Sequence, residues 1–269
     1  MTQLDLNRST ITYAALGDSF TEGVGDPWPG HADEGYFRGW ADRFAEHLAE
    51  HVGEVHYANL AVRGKLLRQV LADQMPPVLA MRPDLVTLCA GGNDLLRPGR
   101  NPDMLATQLE RAVWRLREQG ATVVLFTGVN VSSGFMRGLV GRFARFYLNV
   151  RSIADRSGSY LVDQWSMAVL RDARAWETDR LHMSAEGHRR VALRMCSTLG
   201  VPTQRQWDEP WPDADLLDWR SVRAADVRWA REFLLPWVGR RLTGRSSGDG
   251  VWPKRPELSP VESPKKSEL

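Results

Sequence analysis

Cysteine is nearly absent. The 269 residues hold two, Cys89 and Cys196, and neither has a neighbour at metal-ligand or redox-motif spacing, so a disulfide framework is not expected. No charge of one sign dominates either: 35 Lys plus Arg face 33 Asp plus Glu, mixed along most of the chain. That balance removes the electrostatic reason for a nucleic acid or a charged membrane surface as partner. No apolar run approaches the length that crosses a bilayer. The N-terminus, MTQLDLNRST, lacks the basic start, apolar centre and small-residue cleavage site of a secretion signal. These absences lead to the expectation of a cytoplasmic protein with no integral membrane segment. No metal-site pattern is present, and no cofactor is expected.

What is present is a 43% hydrophobic, 25% charged chain, which fits one large domain with additions. Short β-rich apolar runs recur at 12–16, 55–60, 85–89, 122–127 and 160–162. Each is followed by glycine or polar residues and then by helical spacing. Trp40, Phe44 and Leu48 share one helical face in 36–52, as do Leu105, Leu109, Val113 and Leu116 in 101–119. Asp103 stands in the first turn of the latter, where the helix dipole favours an acid. Ser184 reads as the N-cap of a further helix running to Leu199, stopped by Gly200 and Pro202. Strands alternating with helices predict a three-layer α/β/α sandwich around a five-stranded parallel sheet, with residues 1–203 as its domain.

The composition then changes. Residues 204–243 are rich in tryptophan and arginine, with Val222, Trp229 and Phe233 on one helical face. Packing of these aromatics on the domain is the plain expectation. A lid, a self-association contact or a membrane-surface helix is the sharper one. Residues 244–269 are mostly Pro, Ser, Lys and Glu, a composition that predicts a disordered tail at least from about residue 255.

The chemistry-bearing residues fall at strand ends, where parallel sheets keep their ligand sites. Ser19, in YAALGDSFTEGVGDP, stands at the junction of the first strand and a turn. A serine hydroxyl needs a base to take its proton, usually a histidine held by a carboxylate. Of the six histidines, His31, His47, His51 and His56 read as solvated or structural. His188 reads as a packing or capping residue within the last helix. His182, in DRLHMSAEGH, has Asp179 three residues earlier on a short connection, close enough for the carboxylate to hold one ring nitrogen. Donors for a tetrahedral oxyanion are offered by Gly64 in NLAVRGK, through its backbone N–H, and by Asn93 in CAGGNDLL, through its side-chain amide. Taken singly, each of these also reads as an ordinary turn or cap residue.

The blocks GDSFTEG, NLAVRG, GGNDLL and DRLHMS, in this order, resemble the SGNH/GDSL hydrolase superfamily over residues 12 to about 199. The resemblance implies a flavodoxin-like fold and a serine esterase or lipase. It implies Ser19 as nucleophile and oxyanion donor, Gly64 and Asn93 as further donors, and Asp179 and His182 completing a catalytic triad. Phe20 departs from the leucine often found there, which predicts altered packing behind the nucleophile rather than lost activity. The extension resembles one carried by a subgroup of high-GC bacterial members. A small-molecule ester is the expected substrate. Trp28 and Tyr36, in the loop after the nucleophile block, are candidate pocket lining. Two other classes remain at this stage. One is a metallophosphoesterase, faintly suggested by GDS and GGND. The other is an inactive binding or scaffold module that uses the extension.

Overall fold

The computed structural model describes residues 4–28, 30, 35–130, 138–213, 227–234, 236 and 247–261. Its centre is a six-stranded sheet in the order β5-β4-β3-β1-β2-β6. The strands are β1 (Thr10–Gly17), β2 (Glu54–Asn59), β3 (Leu85–Cys89), β4 (Thr122–Phe126), β5 (Tyr160–Val162) and β6 (Arg255–Pro260). The first five are parallel, as the apolar runs predict.

β1 shows why the sheet is covered on both faces. Ile11, Tyr13 and Ala15 point into one core, shared with the helices Gly39–Val52 and Ala185–Leu199. Ala14 and Leu16 point into the other, shared with Pro102–Glu118, Val140–Ser157 and the helical stretch 67–81. That is the period-two alternation of a strand buried on both sides. The caps are as read: Ser184 Oγ accepts the Gly187 N–H, and Gly200 closes the last helix in the left-handed conformation. Asn101 Oδ1 caps the 102–118 helix. The helix Val140–Ser157 follows the fourth apolar run, where helical spacing is expected without stated bounds. Among the described residues, no helix is long and apolar enough to cross a membrane.

Two expectations need correction. The sheet has a sixth strand, and it lies in the segment expected to be disordered. β6 pairs antiparallel with β2, matching His56 to Pro260 and Tyr57 to Ser259. Its prolines are tolerated because an edge strand has one unpaired side. What holds it is long-range: Lys254 Nζ donates to the carbonyl oxygens of Glu22, Phe37 and Arg38, each at 2.8 Å, and pairs with the Asp42 carboxylate. In the preceding extension, Trp207 and Trp211 pack on the core. Trp219, Val222 and Trp237 lie outside the described residues.

Candidate active site

β1 ends at Gly17, and Asp18 caps a single helical turn, Ser19–Glu22, by accepting the Phe20 N–H at 3.2 Å. Ser19 is thereby the first residue of that turn. Behind it Phe20 stacks on Trp40 with centroids 5.5 Å apart and meets Phe126 edge-on at 6.0 Å. The phenylalanine that stands in place of leucine thus belongs to an aromatic cluster. Asp18 is buried, and burial pushes its carboxyl up to about 6 against the Phe20 N–H bond and the nearby His182.

Contacts tie the four blocks together. The Asn93 amide nitrogen, from the third block, donates to Asp18 Oδ2 of the first and to the Lys65 carbonyl beside Gly64 of the second, each at 3.2 Å. Glu22 of the first block grips the residue before Gly64: its Oε2 accepts the Arg63 backbone N–H at 2.6 Å and its Oε1 accepts Arg63 Nε at 2.9 Å. Asp94 Oδ2 accepts the Leu67 N–H at 2.8 Å, which fastens the third block to the helix after the second. The first and fourth blocks meet through backbone. A Cβ on Gly25, whose φ is +100°, would come within 2.1 Å of the Met183 carbonyl oxygen, so only glycine lets the loops approach this closely. Glu22, Arg63, Asp94 and Gly25 escaped the sequence reading, because their partners lie tens of residues away and no local spacing links them.

The Asp179–Leu181 loop turns through Arg180, which is left-handed at φ 55°. That conformation is uncommon for a residue with a side chain. Asp179 Oδ1 accepts the backbone N–H groups of Leu181 and His182, each at 2.9 Å, and Oδ2 lies 2.6 Å from His182 Nδ1. Burial opposes ionisation of Asp179, but the bonds from His182 and Leu181 outweigh it and hold the carboxyl below its usual range. An ionised carboxylate only accepts, so Nδ1 carries a proton and, in the neutral imidazole, Nε2 is the accepting nitrogen.

Ser19, Gly64, Asn93, Asp179 and His182 all line one cavity of about 430 Å³. Its remaining wall is largely apolar, with Phe126, Phe143 and Tyr147 among the lining groups. Trp28 and Tyr36 are not among them, contrary to expectation. The Arg38 guanidinium lies over the Trp28 ring at 5.4 Å, the Trp28 N–H donates to the Tyr36 carbonyl, and the Tyr36 side chain is exposed. That local pairing takes both residues out of the cavity wall. Two-metal phosphoester chemistry needs clustered Asp and His ligands. Among the described residues, no group of three or more His, Cys, Asp or Glu side chains is placed to hold a metal.

His188 is a strut. Its Nδ1 accepts the Trp40 N–H at 3.2 Å and its Nε2–H donates to the Val24 carbonyl at 3.1 Å, which joins the last helix to the loop behind Ser19. Burial lowers its pKa from 6.5 to about 4. Between those values the unfolded chain binds more protons, so this contribution to stability is lost as pH falls from 6.5 to 4. The loss amounts to about 3 kcal/mol. Asp18 acts oppositely, since its carboxyl, raised from 3.8 to about 6, makes the folded state the better proton binder between those two values. A difference measurement therefore isolates His188. The gap in urea stability between wild type and His188→Gln is expected to narrow by about 3 kcal/mol from pH 7 to pH 4. A constant gap refutes the assignment.

A parallel α/β sheet whose carboxyl edge carries a serine, a carboxylate–histidine pair and an amide beside one apolar cavity defines a serine ester hydrolase. The chain belongs to the GDSL-like lipase/acylhydrolase family, whose model matches residues 15–190. Among solved structures, it is similar to a GDSL-like lipase assigned in Parabacteroides merdae, at 18% identity and TM-score 0.64, with 74% of this chain spanning 100% of that one. It is also similar to Axe2, an acetylxylan esterase from Geobacillus stearothermophilus, at 23% identity and TM-score 0.59, covering 76% and 98% of the two chains. TesA matches at 23% identity and TM-score 0.58, covering 70% and 97%. A comparison with curated protein sequences gives no match.

Proposed function

We propose that the chain hydrolyses small carboxylic esters through an acyl-enzyme. Ser19 attacks the ester carbonyl, and His182 Nε2 takes the proton and returns it to the leaving alcohol. Asp179 holds the imidazole in the Nδ1–H tautomer and steadies the imidazolium. The N–H groups of Ser19 and Gly64 and the Asn93 amide receive the oxyanion. Water, deprotonated by the same imidazole, then releases the acid. The observation that carries this reading is the 2.6 Å Asp179–His182 contact on the wall of the cavity that Ser19 also lines.

A fluorophosphonate probe tests it. Stoichiometric labelling at Ser19, absent in Ser19→Ala and insensitive to EDTA, is expected. A protein that hydrolyses esters unlabelled overturns the nucleophile, and activity abolished by EDTA favours the metal chemistry instead.

The oxyanion assignment has its own measure. Asn93→Ala is expected to lower kcat by roughly 10² to 10³ while KM changes little, since the amide acts on charge that exists only in the transition state. Its two amide hydrogens are engaged by Asp18 and Lys65, which orient the amide, and one of these bonds is exchanged for the oxyanion when it forms. A kcat within about threefold of wild type would remove Asn93 from the oxyanion site.

A further inference from the structure

The cavity is not built by the family-matched region alone. Residues 227–234 are helical, and Trp229, Glu232, Phe233 and Pro236 from this stretch line the same cavity as Ser19 and His182. All four lie beyond residue 190, where the family match ends. Trp229 fixes the segment to the site: its Nε1–H donates to the Asp179 carbonyl at 2.7 Å, and the Arg180 guanidinium lies 5.3 Å from its ring centroid. One turn further on, the half-buried Phe233 faces the cavity.

The segment is anchored on both sides. Upstream, the guanidinium groups of Arg174 and Arg190 lie 4.9 and 4.2 Å from the Trp211 ring centroid, and the Trp211 Nε1–H donates to the Val169 carbonyl at 2.8 Å. Downstream, Ser247 lines the cavity again, and the Lys254 ammonium and β6 tie the chain to the domain. Trp229 and Phe233 thus stand at the cavity between two stretches that are tied to the domain in the sequence on either side.

We propose that this C-terminal segment is the specificity wall of the ester site, with Phe233 as the residue that receives the apolar end of the acyl group. The inference deepens the esterase reading and rests on it for turnover. An acetyl group is too small to span a 430 Å³ cavity from Ser19 to Phe233, whereas a medium acyl chain or an aryl group has the length and apolar surface to reach that wall. The substrate class is therefore an ester of an apolar acid, selected over an acetate ester.

The test compares p-nitrophenyl acetate, butyrate, octanoate and dodecanoate. Wild type is expected to show a kcat/KM optimum at octanoate or longer. Phe233→Ala is expected to lose roughly tenfold on octanoate and under threefold on acetate. Phe233→Trp, which fills rather than empties the site, is expected to move the optimum to shorter chains. The same octanoate-to-acetate ratio in all three proteins, or a wild-type optimum at acetate, overturns the proposal. Octanoate binding to Ser19→Ala, read by tryptophan fluorescence, separates the wall from the chemistry. Roughly tenfold weaker binding when Phe233→Ala is added supports the wall without turnover, and unchanged affinity refutes it. Failure of wild type to take a fluorophosphonate refutes only the serine mechanism.

Discussion

Ser19→Ala and His182→Ala are each expected to lower kcat on a p-nitrophenyl ester by roughly 10⁴ to 10⁶, with KM nearly unchanged. The two losses should not add. Hydroxyl and imidazole act as one unit, so the double variant should be about as slow as either single one. Asp179→Asn is expected to cost on the order of 10⁴. Asp179 Oδ2 receives the Nδ1 proton, and an amide NH₂ presented there would favour the tautomer that protonates Nε2, the atom needed as base. Asp179 also accepts two backbone N–H groups through Oδ1, which the Asn variant retains, so the loop should keep its turn while the chemistry fails. Steady-state kinetics with circular dichroism as a folding control decides it. A kcat within tenfold of wild type in either Ser19→Ala or His182→Ala would place the nucleophile or the base elsewhere.

The parallel core was readable because its central strands β1, β3 and β4 are buried runs, largely apolar, and each packed helix carries its own stripe. Ile11 to Leu16 alternates between two cores, and Leu105, Leu109, Val113 and Leu116 fall on one buried face. Ser19, Gly64, Asn93, Asp179 and His182 were readable because catalytic types stood at successive strand ends. What brings them together was not. The Glu22–Arg63 clamp spans 41 residues and the Asn93–Asp18 contact 75, and neither leaves a periodic trace. β6 was invisible for a related reason. Its RPELSP sequence is polar and rich in proline, and it becomes a strand only because β2 offers an edge and Lys254 a buried anchor. Trp28 and Tyr36 were read by proximity in sequence to Ser19. The wall instead comes from Trp229 and Phe233, more than two hundred residues away.

Lys254→Met should destabilise the protein by about 3 to 5 kcal/mol, the usual cost of removing one partner from a buried ion pair. The side chain is only 13% exposed and its Asp42 partner 6%. The variant leaves three carbonyl oxygens without their donor as well as a carboxylate without its cation. Burial already raises the Asp42 carboxyl to about 6, with Lys254 the main opposing influence. Losing the ammonium moves it higher. A raised folded pKa means stability that is present at low pH and lost as pH rises through that value, so Lys254→Met should be more damaging at pH 8 than at pH 5. Asp42→Asn added to Lys254→Met should recover part of the loss and remove the pH dependence that Asp42 contributes, because neither position of the pair then titrates. Urea midpoints of the four proteins at both pH values form the cycle. The consequence reaches the active site through Glu22. Its carbonyl accepts Lys254 Nζ while its carboxylate holds Arg63 next to Gly64, so the anchor of the C-terminal strand is two contacts from the proposed oxyanion loop. Equal stability of wild type and Lys254→Met at pH 8 would show that β6 is held by its strand pairing alone.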